Sequence, residues 1–400
     1  MLIELFIALL IGIIAGTFTG LFPGIHINLV AAFLIACFPL LSSFLPLIAL
    51  AVFVISMSIT HTFIDFIPSI FLGAPEEDSF LSVLPGHRML LEGKAYEAFV
   101  ITLYGSLTAL AIVLIFTPLF ILFLSSVFNF FKSAIPFVLI FISFYLIYRE
   151  KNYTLSLIVF LLAGILGYLS FNLPVKDPLL PLLSGLFGLS GLIISLKTKA
   201  HLPRQEIPKL KHVKLSRKEF LKSVSAILLS APFCSFLPGI GSGHAATIGS
   251  EIIPQNTKGF LFLVGATNTI VMGLSFITLY AINKTRSGSA AAIGEILKAI
   301  SLQDLAILIA AMIISGILAF VVGVKLSKFA AINIAKFSYR KITLATLFII
   351  LAVNILFTNP LGLLILVTAT SLGIFAIASE SRRINLMGAL IMPSIIYYII

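Results

Sequence analysis

The sequence contains little charge, no tryptophan and only two cysteines in 400 residues. Asp, Glu, Lys and Arg make up 10% of the residues, whereas 60% are hydrophobic, and the mean hydropathy is +1.17. Because soluble domains carry about 25% charged residues, this composition excludes an ordinary soluble protein. Apolar runs follow one another from end to end, which predicts an all-α, multi-pass protein of the cell membrane, surrounded by membrane lipids.

The sequence lacks the motifs of several functional classes. Cys37 and Cys234 both lie in apolar stretches, so a disulfide framework is not expected. The sequence contains no Walker loop, dinucleotide fingerprint or metal-ligand cluster, which argues against ATP-driven pumping and against a cofactor or a bound metal. A nucleophile elbow needs glycines two residues before and two residues after the serine. Around Ser242 these positions hold Ile240 and His244, so we do not expect an enzyme. The net charge of +11 is better explained by membrane topology than by nucleic-acid binding.

The longest polar stretch divides the chain. It covers 197–222 and contains nine Lys or Arg residues, which predicts a basic cytoplasmic linker. The flanking segments, 1–196 and 223–400, are predicted to be two transmembrane repeats. Pro23 matches Pro238 at an offset of 215, and His61 in Thr-His-Thr matches Asn268 in Thr-Asn-Thr at an offset of 207.

Apolar runs predict about ten transmembrane helices, five in each half. They lie near 44–61, 98–124, 134–149, 153–170, 178–196, 259–282, 302–324, 342–357, 361–379 and 386–400. Each half also opens with a hairpin broken by Pro-Gly, near 4–41 and 223–254, and each has a polar-interrupted stretch, near 62–97 and 283–301. If these segments are re-entrant, five crossings per half give the second half the opposite orientation, which is an inverted repeat.

The broken hairpins are the strongest functional signal. Pro lacks an N–H group and Gly accepts many backbone conformations, so one helix ends at each tip and another begins. A helix N-terminus with free N–H groups attracts anions, and broken helices in matching positions mark the substrate site of many transporters. The alternative is a structural kink. The candidate anion-binding residues are Pro23, Gly24, His26 and Asn28 at the first tip, and Pro238, Gly239, Gly241, Ser242, Gly243 and His244 at the second.

Other polar residues interrupt the apolar runs. His61 and Asp65 are four residues apart, so they share one helical face. This pair is predicted either to couple transport to H⁺ or Na⁺ or to be a satisfied pair at a cytoplasmic helix end. Asn268, the counterpart of His61, is a further candidate for the substrate site. Arg286 belongs to the few basic residues predicted to face outward, and we expect it to attract an anion.

Three segments give the sequence a family resemblance. They are 20–25 (GLFPGI), the stretch from 70–77 (IFLGAPEE) to 85–95 (PGHRMLLEGKA), and 238–241 (PGIG). Across most of its length the chain resembles the large membrane subunit, or permease, of the tripartite tricarboxylate transporter family, in its archaeal-type branch. The resemblance implies carboxylate uptake driven by an ion gradient, together with an extracytoplasmic binding protein and a small membrane subunit.

The residues and the resemblance together predict a secondary active transporter. It would move a small anionic substrate, a carboxylate, by alternating access with H⁺ or Na⁺ as coupling ion. The alternative function is an anionic lipid carrier that moves a polyprenyl phosphate between leaflets, because both functions would use the same electropositive tips.

Overall fold

The computed structural model describes residues 2–22, 44–73, 83–131, 134–175, 178–196, 203–234, 241–285, 287–334, 336 and 339–399. Every regular element within these residues is a helix. Seven helices are long and apolar enough to cross a membrane, and five shorter apolar helices accompany them. The protein is therefore an all-helical, polytopic membrane protein, as the composition predicts.

The helices of the first half begin with α1, which the sequence places in a broken hairpin but which is long enough to cross a membrane. In order they are α1 (Leu2–Leu21), α2 (Leu47–Ile64), α3 (Val83–Leu91), α4 (Ala95–Phe131), α5 (Ile135–Tyr148), α6 (Tyr153–Asn172), α7 (Leu179–Leu183) and α8 (Ser190–Ser195). Two π-helical segments occur among them, Pro68–Leu72 after α2 and Ser184–Leu189 between α7 and α8.

The helices of the second half follow the linker, which carries one 3₁₀ turn at Leu210–His212. They are α9 (Arg217–Cys234), α10 (Ser242–Ile252), α11 (Thr257–Ile282), α12 (Gly288–Leu297), α13 (Leu302–Ile334), α14 (Tyr339–Phe357), α15 (Pro360–Ala378) and α16 (Gly388–Ile399). A 3₁₀ turn, Arg383–Met387, leads into α16. All ten predicted crossings coincide with apolar helices, six of them long and four shorter.

One predicted boundary is wrong. The sequence places the end of the first predicted crossing, 44–61, where polar residues begin. In the structure the apolar helical span continues from Leu47 to Leu72. The helix can continue because its hydroxyl groups bond to their own backbone: Thr62 donates to the carbonyl of Ile59 at 2.9 Å, and Ser69 donates to that of Asp65 at 3.1 Å. His61 and Asp65 therefore lie inside a helical span rather than after it.

Two pairs of helix starts in the two halves correspond at the same offset. The helix α4 begins at Ala95 and α13 at Leu302, and 302 − 95 = 207. The N-cap residues of α6 and α15 are Asn152 and Asn359, and 359 − 152 = 207. Each of these asparagines accepts a hydrogen bond from the backbone N–H three residues later. The same cap chemistry thus begins both helices.

Two helices, α2 and α11, lie at the centre of the protein. In the most apolar 18 residues of each long helix, the share of buried residues is 83% for the span of α2 and 94% for α11, whereas it is 28% to 39% for the other long helices. Helix α2 packs against α13 of the other half, and α11 packs against α4 of the other half. The halves are therefore interlocked, with each central helix held by a long helix from the opposite half.

Glycines allow these helices to approach closely. A Cβ atom on Gly105 of α4 would lie 2.2 Å from the carbonyl oxygen of Phe262, and one on Gly265 of α11 would lie 2.3 Å from that of Thr102. At the same crossing, Ser106 donates a hydrogen bond to the carbonyl of Gly265 at 3.1 Å. The backbones of α4 and α11 are thus in direct contact, and any side chain at either glycine would separate them.

A row of glycines on α1, the glycine ridge, lets this helix approach α2 closely. Cβ atoms on Gly12, Gly16 and Gly20 would each lie within 2.9 Å of an α2 atom; for Gly16 that atom is the carbonyl oxygen of Met57, at 2.3 Å. The small-xxx-small spacing of these glycines predicts such packing. The ridge places the side chains of α1 beside the polar residues of α2.

The basic linker packs against the first half through Gln205. Its side-chain amide donates to the carbonyl of Leu90 at 3.0 Å and accepts from the backbone N–H of Ala95, also at 3.0 Å. Tyr104 of α4 donates to the carbonyl of Leu210 at 3.0 Å. The linker ends at a capping box in which Ser216 holds the pKa of the Glu219 carboxyl below its usual range.

We expect Gly16→Ala to destabilise the protein by about 1–3 kcal/mol, because the new methyl group would overlap the α2 backbone. The measurement is the free energy of unfolding in detergent. Gly188→Ala is the matched control, since a Cβ there would meet its nearest atom, Cδ1 of Ile350, at 3.4 Å. Equal stabilities for the two variants would contradict the close contact of α1 with α2.

Candidate functional site

Part of the predicted site lies outside the described residues. This applies to Pro23, Gly24, His26, Asn28, Pro238, Gly239 and Arg286. The structure does describe the end of the second tip, from Gly241 to His244, and the polar residues of α2 and α11.

The second tip leads directly into α10, as the Pro-Gly element predicts. Gly241 is the N-cap residue, and Ser242 and His244 are buried, with exposed fractions of 1% and 0%. The backbone N–H of Gly241 donates to Nδ1 of His244 at 3.2 Å. In this bond Nδ1 acts as the acceptor, so His244 caps the helix from within. One of the N–H groups expected to face an anion is thereby used by the protein itself.

A row of polar side chains lies along α2, which we call the α2 polar seam: Ser56, Thr60, His61, Thr62 and Asp65. All are nearly completely buried, and His61 and Asp65 expose 3% and 1% of their surface. Nδ1 of His61 lies 3.0 Å from the hydroxyl of Thr19 on α1. The glycine ridge is what allows that threonine to come so close, since Gly16 and Gly20 flank it on the same helix.

Asp65 contacts the other half of the chain. The side-chain amide of Asn268 donates to Oδ2 of Asp65 at 2.9 Å. Asn268 lies 11 residues after the start of α11 and 14 before its end, so each end is about 16–21 Å away along the helix axis. The carboxylate is therefore held at the level of the middle of a long apolar helix, where an ionisable group is costly and commonly functional.

A second contact joins the same two helices. The hydroxyl oxygens of Thr62 and Thr269 are 3.1 Å apart. Thr62 and Thr269 occupy matching positions in the two Thr-x-Thr motifs, 207 residues apart. The structure thus pairs Asp65 with Asn268, both of which the sequence singled out, and it pairs His61 with Thr19 and Thr62 with Thr269, three threonines that the sequence did not single out.

The donor set at α2 and α11 fits a proton or a hard cation. A carboxylate accepts a proton, and carboxylate, amide and hydroxyl oxygens are the ligands that hard cations prefer. Among the described residues, no group of three or more His, Cys, Asp or Glu side chains could hold a metal ion.

Sequence reasoning missed a charged cluster elsewhere in the protein. Arg382 binds Glu150 and Glu251, both at 2.5 Å, and Arg149 binds Glu251 at 3.1 Å. Asn385 also donates to Glu150, at 3.0 Å. The cluster fastens α10, the helix that follows the second tip, to the α5–α6 turn and to the turn before α16. No short motif marks these residues, since they are far apart in the sequence.

Comparison with known proteins agrees with this architecture. The model of the tripartite tricarboxylate transporter TctA family matches residues 6–388. An uncharacterized protein of Methanocaldococcus jannaschii is 33% identical over 395 residues, which cover 93% of each chain. No solved structure matches the chain. A family match over nearly the whole chain, together with apolar helices along its length, identifies a multi-pass membrane protein and confirms the resemblance seen in the sequence: the chain belongs to the tripartite tricarboxylate transporter TctA family.

Proposed function

We propose that this transporter component is a secondary active permease that takes up a small carboxylate by alternating access, coupled to H⁺ or Na⁺. Family membership supports the general class of transporter. The coupling ion and the mechanism are inferred from the residues. The comparisons do not support the alternative of a polyprenyl-phosphate carrier, and we do not pursue it.

The observation that carries the proposal is the contact between Asp65 and Asn268. It places a carboxylate with 1% exposure between central helices from opposite halves. An ionisable side chain at this depth in a membrane protein is costly and commonly marks an ion pathway or a proton relay. If α2 and α11 move relative to each other during transport, the environment of Asp65 changes, which would couple ion binding to the movement.

The anion would bind at the hairpin tips. At the second tip, Gly241, Ser242 and Gly243 begin the buried helix α10, whose positive dipole end favours a carboxylate. A role for Pro23, Gly24, His26, Asn28, Pro238, Gly239 and Arg286 stays a prediction from the sequence. Together these residues would form an electropositive site with few charged side chains.

We further propose that 1–196 and 223–400 are inverted-topology repeats joined by the cytoplasmic linker 197–222. The offset of 207 shared by the starts of α4 and α13 and by the N-caps of α6 and α15 supports a repeat. In a two-fold arrangement, a residue can contact its own counterpart only near the symmetry axis. Thr62 and Thr269 are such counterparts and are in contact, so we place the axis between them.

Membership of a tripartite family implies that the chain acts with partner subunits. We propose that these are a small membrane subunit and an extracytoplasmic binding protein that delivers the carboxylate. No cofactor beyond the coupling ion, and no enzymatic step, is part of the proposal.

For Asp65→Asn we expect loss of substrate accumulation against a gradient, while downhill exchange persists. Asparagine keeps the shape of the side chain but cannot take up the coupling proton or balance the charge of a cation. The measurement is uptake of radiolabelled citrate and succinate into proteoliposomes that contain the chain and its partner subunits, with an imposed pH or Na⁺ gradient.

The matched control is Asp304→Asn. Asp304 accepts hydrogen bonds from Ser301 at the start of α13, and the amide can keep one of them. This variant should accumulate substrate like the parent. Normal accumulation by Asp65→Asn would make Asp65 a structural residue and refute its part in coupling.

The inverted repeat predicts the sides on which three single cysteines react. In a variant without Cys37 and Cys234, cysteines at Ser126 and Thr358 should react with a membrane-impermeant maleimide added from outside, whereas one at His212 should react only from inside. Ser126 and Thr358 lie near the ends of α4 and α14, and His212 lies in the linker. Reaction of all three from one side would rule out the inverted arrangement.

The proposed axis predicts energetic coupling between Thr62 and Thr269. We expect a double-mutant cycle of Thr62→Val and Thr269→Val to give about 0.6 kcal/mol of coupling in the free energy of unfolding, the average for such bonds in membrane proteins. The control cycle pairs Thr62→Val with Thr278→Val, whose hydroxyl donates within its own helix, and should be additive. Additive effects in both cycles would remove the axis from this position.

A further inference from the structure

Arg383 holds a positive charge in an unusual environment. Its Nη2 donates to the carbonyl of Phe187, in the π-helical segment between α7 and α8, and lies 3.4 Å from the hydroxyl of Ser190. The guanidinium lies over the ring of Phe187, 5.5 Å from the ring centre. Its Nε is buried and has no hydrogen-bond partner among the described residues.

The neighbouring Arg382 shows what Arg383 lacks. Arg382 binds two carboxylates, those of Glu150 and Glu251. Arg383 has neither an ion pair nor a carboxylate contact within the part of the chain that the structure describes; its partners are a backbone carbonyl, a hydroxyl and an aromatic face. The two adjacent arginines therefore differ in charge balance, since the first is neutralised by the protein and the second is not.

A half-buried guanidinium without a counter-charge is costly, because it has lost part of its hydration and gained no anion in return. A nitrogen that is buried without an acceptor adds to that cost. The aromatic face recovers only a part of it. An anion that binds the remaining N–H groups would remove this penalty, and a planar guanidinium suits oxyanions such as phosphate and carboxylate, which it can bind through two parallel hydrogen bonds.

The protein also leaves room beside this group. Gly191 lies beside the guanidinium, and a Cβ placed there would lie 3.6 Å from both Nη1 and Nη2. A glycine at this position therefore leaves open a space that any larger side chain would fill. Gly191 is partly exposed, so the space can be reached from the surface.

We propose that Phe187, Ser190, Gly191 and Arg383 form a binding site for an oxyanion, which accepts hydrogen bonds from the guanidinium of Arg383 on the side that faces Gly191. The site lies at the start of α8, the short helix that precedes the basic linker, which the charge distribution assigns to the cytoplasm. Both the phosphate of an anionic lipid and a soluble anion have the required chemistry, and the experiment separates the two sources. Basic pockets between helices on this side of a membrane commonly hold lipid phosphates.

The test compares the full-length parent with Arg383→Gln in a neutral detergent. The thermal unfolding midpoint is measured during titration with phosphatidylglycerol, phosphatidylcholine, inorganic phosphate and citrate, at equal ionic strength with chloride. Native mass spectrometry counts the lipids that remain bound. The parent should be stabilised by phosphatidylglycerol or by a soluble oxyanion, but not by phosphatidylcholine or chloride.

Loss of the charge-assisted hydrogen bonds in Arg383→Gln should weaken this binding roughly tenfold or more. Arg383→Lys should keep part of it, because the charge stays but the fork geometry is lost. A response to phosphatidylglycerol alone assigns the site to a lipid, and a response to phosphate or citrate assigns it to a soluble anion.

A second variant covers the case in which Arg383→Gln does not fold. Gly191→Val keeps the arginine but fills the space beside it, and should weaken anion binding to a similar extent. Gly188→Ala is its control, since that glycine lies one turn away and faces Ile350. The proposal is overturned if no oxyanion stabilises the parent more than chloride does, or if the variants that fold respond like the parent.

Discussion

Direct backbone contact between helices is the constraint on which the polar interior depends. An apolar chain in a membrane gains little from burying one apolar helix against another, so close packing and hydrogen bonds have to hold the helices together. Glycines supply this contact at both central helices, with Gly16 against α2 and with Gly105 and Gly265 between α4 and α11. Because the backbones touch, short side chains such as Thr19 and Ser106 can reach across.

The hydrogen bond between Asp65 and Asn268 has no equivalent at the matching positions of the two halves. The offset of 207 pairs Asp65 with Met272 and Asn268 with His61. The counterpart of the Asp65–Asn268 hydrogen bond would therefore join a methionine to a histidine, which cannot form an equivalent bond. Among the polar residues that join α2 and α11, the carboxylate of Asp65 therefore has no counterpart at the matching position of α11.

Much of the fold follows from local sequence features, whereas the contacts of the site do not. Apolar runs locate the helices, and the small-xxx-small spacing of Gly12, Gly16 and Gly20 predicts their packing. The apolar helical span that contains α2 extends to Leu72, beyond the predicted end near residue 61, because polar residues such as Thr62 satisfy their hydroxyl groups within the helix. The hydrogen bond of Asp65 with Asn268 joins residues that are 203 positions apart in the sequence, so no local pattern predicts it.

Other site features carried partial signals. The match of Thr-His-Thr to Thr-Asn-Thr pointed to Thr62 and Thr269, which are in contact in the structure. Counterparts in a two-fold repeat can meet where its axis passes. The pairing of Arg382 with Glu150 and Glu251, and the packing of Gln205 against α3 and α4, have no local signature. Such long-range polar contacts are set by the way the helices pack, which no single segment encodes.

The interlocking of the halves has a consequence for biogenesis. Helix α2 ends at Ile64, whereas α11 begins at Thr257 and α13 at Leu302, so during synthesis α2 leaves the ribosome long before these two helices that pack against it. The Asp65 carboxylate therefore enters the translocon before Asn268 exists, and α2 has to wait, beside the translocon or beside α1, for its permanent neighbours. Insertion of this helix is separated in time from its final packing, so the first half of the chain cannot complete its own interior before the second half has been made.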